Sequence, residues 1–254
     1  METVLRRERL ILGGCLAAMV ILAWLYLLHT MTAMPDMDMP GMVMPELHEW
    51  GPSTALLLFV MWTVMMVAMM VPSAAPMILA FLAVNQRRQA VDRPLVPVGI
   101  FLLGYLTVWT GFSAVATLAE WRLHQAALLS AAMAATSPAL NGGLLIVAGI
   151  FQWTPLKRTS LKGCRSPLSF LMSEWREGTA GAFVMGLRHG AYCVGCCWVL
   201  MALLFVAGVM NLLWVAIIAL FVMAEKISPK GELLAHVAGI ALIIAGGTLL
   251  AHLW

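Results

Sequence analysis

The sequence predicts an all-α protein, a polytopic bundle of about seven transmembrane helices with its N-terminus in the cytoplasm. Three observations carry that prediction. Of 254 residues, 62% are hydrophobic and only 11% are charged, and the mean hydropathy is +0.93. A soluble domain carries about 25% charged and roughly 45–50% apolar residues, so this chain lacks the polar surface to cover a water-facing globule. Apolar runs recur near the length of about 20 residues that crosses a hydrocarbon layer as helix. Finally, 13 of the 15 Lys and Arg residues fall in alternate connections between those runs. The lipid bilayer is therefore the first expected partner, and nucleic acid is not one.

The runs lie near 10–28, 54–84, 95–118, 139–155, 181–206, 211–225 and 233–253. Backbone groups in lipid must be satisfied within the segment, which selects helices. The first run follows Arg6, Arg7 and Arg9. It is longer than the roughly 7–15 apolar residues of a signal peptide, so it reads as a retained anchor. The second is too long for one straight span, and Pro72 and Pro76 are expected to kink it. The Ala-rich stretch 125–137 reads as a short interfacial or re-entrant helix. Arg87, Arg88 and Arg93 follow the second run; Lys157, Arg158, Lys162, Arg165 and Arg176 follow the fourth; Lys226 and Lys230 follow the sixth. Positive charge favours the cytoplasmic side, which places these returns inside and the C-terminus outside. Residues 1–254 then form a single membrane domain with a periplasmic loop at 29–52.

That loop is rich in soft ligands. It holds Met31, Met34, Met37, Met39, Met42 and Met44 together with acidic residues and His29 and His48, and no Lys or Arg. Thioethers favour Cu(I), whereas carboxylate and imidazole suit harder or borderline ions. Pro35, Pro40 and Pro45 prevent a continuous helix, and methionines in a solvated loop gain nothing from core packing. Metal capture and packing against outer helix ends are the two readings. The second run adds Met61, Met65, Met66, Met69, Met70 and Met77. At about 100° per residue, Met61, Met65 and Met69 share a stripe, which is either core or a ladder for a soft cation.

The run GLRHGAYCVGCCWVLM, residues 186–201, places His189, Cys193, Cys196 and Cys197 at i, i+4, i+7 and i+8 of a helix. Three thiols and an imidazole on one face suit a soft or borderline ion, copper first and zinc second. Gly186, Gly190 and Gly195 would admit a close neighbouring helix, and Arg188 is costly in hydrocarbon. Plain packing, or thiol redox chemistry at Cys193-Val-Gly-Cys196, are the competing readings. Cys15 reads as packing and Cys164 as a reduced cytoplasmic thiol. Glu225 and Lys226 read most simply as interfacial charges. No phosphate-binding loop, nucleophile elbow or H-E-x-x-H occurs, so ATP-driven pumping and hydrolysis have no support.

The segments MWTVMMVAMMVPSAAPM, TPLKRTSLKGCRSPLSF, RHGAYCVGCCW, GVMNLLW and AEKISPKGE resemble the bacterial predicted metal-binding integral membrane proteins, a family of unknown function. The resemblance runs from about residue 55 to 235 and implies a metal-binding membrane protein. It points to His189, Cys193, Cys196 and Cys197, with the methionines of the second run and Cys164 as further candidates. The family's second Cys shortly before Cys164 is absent, since Thr159, Ser160 and Leu161 stand there. The expected function is copper handling at an inner membrane: uptake, tolerance or delivery, without catalysis. A periplasmic metallochaperone or a membrane complex is the expected protein partner. A non-transporting assembly subunit and a membrane thiol oxidoreductase are the alternatives.

Overall fold

The structure, a computed structural model, describes residues 2–32, 51–89, 98–130 and 133–252. Within them the chain forms helices α1 (Glu2–Thr32), α2 (Pro52–Gln89), α3 (Val98–Gln125), α4 (Pro138–Phe151), α5 (Pro155–Arg165), α6 (Pro167–Glu174), α7 (Gly178–Ala202), α8 (Leu204–Ala207), α9 (Leu212–Ile227) and α10 (Gly231–Ala251). The described residues contain no strand beyond an isolated antiparallel bridge between Leu129 and Ala135.

Among the described residues, five helices are long and apolar enough to cross a membrane: α1, α2, α3, α7 with its continuation α8, and α10. The bent pair α4–α5, which turns by 64°, would make a sixth. Each of the seven expected runs falls largely on helix, but about five, or six with the bent pair, could span a membrane rather than seven; the fourth and sixth, of 14 and 16 residues, are short. Local capping explains where α4, α5 and α9 start. Ser137 accepts a hydrogen bond from the Leu140 amide ahead of α4, Thr154 from the Lys157 amide ahead of α5, and Asn211 from the Trp214 amide ahead of α9. Pro138 and Pro155 occupy the first helical turn, where their missing N–H costs nothing.

α2 is a continuous helix that takes in Pro72 and Pro76. One local expectation changes. The stretch after Gln125 is not a helix in its described residues, because Ala127 and Met133 take left-handed backbone angles of 53° and 55°. Its Ala135 amide bonds instead to the Phe205 carbonyl at 2.7 Å, fastening the turn to α8.

Small residues set the close helix contacts. A Cβ on Gly186 of α7 would lie 2.0 Å from the Phe101 carbonyl oxygen of α3, and one on Gly104 would lie 2.3 Å from that of Phe183. Backbones this close need glycine on both sides, which is how helices associate where burial of apolar surface gives no driving force. Around this α3–α7 pair, α2, α5 and α9 close a core containing Trp62, Phe81, Phe101, Tyr105 and Trp109. Large apolar side chains face outward on every long helix, among them Leu22, Leu57, Leu118, Leu213 and Ile240.

Several residues first counted as loop charges turn inward. Lys157 and Glu225 are each 1% exposed and form an ion pair at 2.7 Å between α5 and α9. Lys226 is also buried, so the pair Glu225–Lys226 does not simply mark an interface. Arg165 donates to the Ser228 carbonyl, and Arg188 pairs with Glu174 on the surface of the bundle.

Candidate metal centre

A cluster of sulfur and polar groups lies where α2, α3, α5, α7 and α9 meet. The α7 glycines create it. Gly186 and Gly190 draw α3 in, and a Cβ on Gly195 would lie 2.7 Å from Ser160 Oγ of α5, so α5 also packs tightly onto α7. That approach delivers Cys164 of α5 to Cys196 of α7, with their sulfurs 4.0 Å apart. On the facing side Cys197 Sγ lies 4.0 Å from Met70 Sδ of α2. All five groups, Cys164, Cys193, Cys196, Cys197 and Met70, are at most 9% exposed, and all five cysteines of the chain are free thiols.

Cys193 sits among polar partners. Lys226 Nζ donates to its sulfur at 2.9 Å and to Ser73 Oγ at 2.9 Å. Tyr105 places its hydroxyl 3.1 Å from the same sulfur and donates to the Met70 carbonyl at 3.1 Å. Ser73 Oγ donates to that carbonyl too, at 2.9 Å. The VPSAAP segment adds to the polarity of α2 here: it supplies Ser73, and because Pro72 and Pro76 lack N–H groups the Ala68 and Pro72 carbonyls have no amide donor one turn on. Cys196 and Cys197 thiols both donate to the Cys193 carbonyl, at 3.1 and 2.9 Å, which turns the two sulfurs to opposite flanks of the helix.

The expected quartet does not gather on one point. Among the described residues no three His, Cys, Asp or Glu side chains are arranged to hold an ion together. The physical reason is length along the axis: from residue 189 to 197 a helix rises about 12 Å, several times the reach of a metal–ligand bond. His189 faces rings instead, stacked on Tyr105 at 5.6 Å and Phe101 at 6.1 Å, with Phe170 edge-on at 5.7 Å. Its Nδ1 has no hydrogen-bond partner among the described residues. A closed tetrahedral nitrogen–sulfur set of the kind zinc favours is thus not found there.

What the geometry offers is paired sulfurs. With metal–sulfur bonds of about 2.3 Å, two ligands sit roughly 3.8 Å apart at a tetrahedral angle and roughly 4.6 Å apart when collinear. Separations of 4.0 Å fall inside that interval, so each pair has the spacing of two sulfur ligands of one ion. A disulfide, by contrast, needs sulfurs about 2.05 Å apart.

The methionine expectations divide. Met61, Met65 and Met69 are buried in the bundle with Met66, Met70 and Met77, and it is Met70, outside the stripe first singled out, that reaches a cysteine. Met31 falls in the last turn of α1, and Met34, Met37, Met39, Met42 and Met44 lie outside the described residues. Cys164, Met70, Tyr105, Ser73 and Lys226 complete the cluster. The sequence signals for them were the prolines beside Ser73 and a Lys next to an acidic residue at the end of an apolar run.

The fold and the cluster define a helical bundle with buried thiols and thioethers, donors that favour soft metals. The chain belongs to the PpoB2 family, described as a copper chaperone, whose model matches residues 59–249. The match takes in every member of the cluster and begins after the Met-rich segment. No curated protein and no solved structure matches the chain.

Proposed function

We propose that this chain is an inner-membrane copper handler that holds Cu(I) between sulfur pairs inside the bundle and delivers it onward. The observation that carries the proposal is the pair of 4.0 Å contacts, Cys164–Cys196 and Cys197–Met70, enclosed by five helices. Thiolate and thioether donors at low coordination number select Cu(I) over magnesium, calcium or manganese. Each thiol that ligates gives up its proton, so loading releases protons. The amine of Lys226 beside Cys193 offsets the negative charge that thiolates bring into a low-dielectric interior. In this reading the N-terminus and the basic returns are cytoplasmic, the Met-rich loop at 29–52 gathers periplasmic copper, and the α2 methionines lead from it towards the cluster. A periplasmic metallochaperone supplies or receives the ion.

Anaerobic Cu(I) titration of the full chain in nanodiscs against a chromogenic chelator tests it. Wild type should hold Cu(I) in competition with the chelator, and the Cys196→Ser/Cys197→Ser variant should lose that population. X-ray absorption should show sulfur ligation in wild type. Equal copper retention by the two proteins would remove the cluster from consideration.

A further inference from the structure

We infer that Glu120 marks a second cation station, in which its carboxylate and the α2 methionine sulfurs beside Trp62 hold a soft monovalent cation at the end of the bundle remote from Arg87 and Arg88. The inference rests on the copper reading for the identity of its ion.

Tyr105, Trp109, Ser113, Thr117 and Glu120 recur every four or three residues on α3, and all are at most 7% exposed. They form a polar stripe on the inner face of an otherwise apolar helix whose outer face carries Leu103, Val115 and Leu118. The stripe begins at the thiol cluster, where Tyr105 meets Cys193, and ends at Glu120, about 22 Å further along the helix axis. Ser113 and Thr117 donate to carbonyls of their own helix at 2.9 and 2.8 Å, so their hydroxyls need nothing else. The two ends of the intervening stretch do. Trp109 Nε1 and Glu120 Oε1 are buried and have no hydrogen-bond partner among the described residues.

Glu120 is 0% exposed, and its other oxygen accepts a hydrogen bond from Trp62 Nε1 at 2.6 Å. Trp62 is itself fixed against Phe205, with ring centroids 5.4 Å apart. A carboxyl group inside a membrane-spanning segment is costly and is retained where it handles an ion or proton. Accepting one indole N–H needs only a neutral carbonyl, so the acid is more than that bond requires.

The companion ligands are on α2. Met65 and Met66 follow Trp62 by three and four residues, which places them one turn along the same face, and both are 0% exposed. Met69 and Met70 continue the row to Cys197. Charge assigns the division of labour. Thioethers are neutral, so a monovalent ion held by methionine alone keeps its full charge in a low-dielectric interior. One carboxylate makes that station neutral, whereas the deeper cysteines supply their own charge as thiolates. Movement between the stations is ligand exchange, with the oxidation state of the ion unchanged.

The test uses Ag(I), a redox-inert soft probe, with the full chain in nanodiscs and native mass spectrometry to count bound ions. Glu120→Gln keeps the volume and the acceptor for Trp62, and should bind one Ag(I) fewer per chain than wild type. A chain with Cys164, Cys193, Cys196 and Cys197 all changed to Ser should retain that ion and lose it when Glu120→Gln is added. If Glu120→Gln does not insert, Met65→Leu/Met66→Leu should remove the same ion. An unchanged count in Glu120→Gln, or in the methionine pair when that is the variant available, overturns the inference. If removing the four cysteines releases no ion while Glu120→Gln still does, the cluster reading falls and the Glu120 station stands.

Discussion

Replacing Lys157 with methionine asks what holds the thiol cluster together. Lys157 Nζ lies 2.7 Å from Glu225 Oε2, and both side chains are 1% exposed. The pair ties α5, which carries Cys164, to α9, which carries Lys226. Lys157→Met leaves the Glu225 carboxylate buried without its partner. Lys226, its chain neighbour, is already committed to Ser73 and Cys193. Breaking one side of a buried ion pair costs about 3–5 kcal/mol, in contrast to about 0–1 kcal/mol for an exposed pair. At about 1.4 kcal/mol per decade, that is roughly two to nearly four decades in the folded-to-unfolded ratio. Lys157→Met/Glu225→Leu removes both charges and should recover most of the loss, because apolar replacements of buried pairs are often neutral or stabilising. Reversible unfolding in mixed detergent–SDS micelles, followed by circular dichroism, gives all four corners of the cycle. The single variant should also free Cys164 from Cys196, read as faster alkylation of Cys164 in the folded protein. A cost under about 1 kcal/mol for Lys157→Met, or a double variant no better than the single, would refute the reasoning.

Three further outcomes are expected. Gly186→Ala places a methyl group 2.0 Å from the Phe101 carbonyl and should destabilise the bundle by about 1–3 kcal/mol or more, whereas Gly143→Ala, with nothing within 4 Å, should be neutral or stabilising; parallel unfolding curves decide. Cys164→Ser should weaken Cu(I) retention at least tenfold, about 1.4 kcal/mol, while Cys15→Ser leaves it unchanged in the same chelator competition. Tyr105→Phe removes a hydroxyl shared between the Met70 carbonyl and Cys193, and should cost about 1 kcal/mol of stability in the same unfolding assay.

The helix content was legible because hydrophobic run length acts locally. The runs near 139–155 and 211–225 are helices, and Ser137, Thr154 and Asn211 cap the N-termini of α4, α5 and α9. The close-approach glycines were legible for the same reason: Gly186, Gly190 and Gly195 repeat along one helix. The stretch after Gln125 was not, since its turn is held by a bond to Phe205, some 70 positions later. Lys157 and Lys226 counted as loop charges because a lysine at the end of an apolar run looks the same whether it faces water or a buried partner.

By itself the sequence determined that this is an apolar, helical chain with its sulfur concentrated in two segments, and that α7 presents three thiols towards its neighbours. Composition and 3.6-residue periodicity are properties of consecutive residues, so no contact was needed to read them. Only the tertiary structure decided which sulfurs meet. Cys193, Cys196 and Cys197 share a helix, but the Cys196 and Cys197 thiols turn back to the Cys193 carbonyl and the three do not converge on one point. Their partners arrive from other helices: Cys164 on α5, Met70 on α2 and Lys226 on α9, each brought within 4.0 Å by packing. Those contacts depend on how helices far apart in the chain cross, and crossing is set by the glycine seams and buried ion pair rather than by the spacing of any one motif.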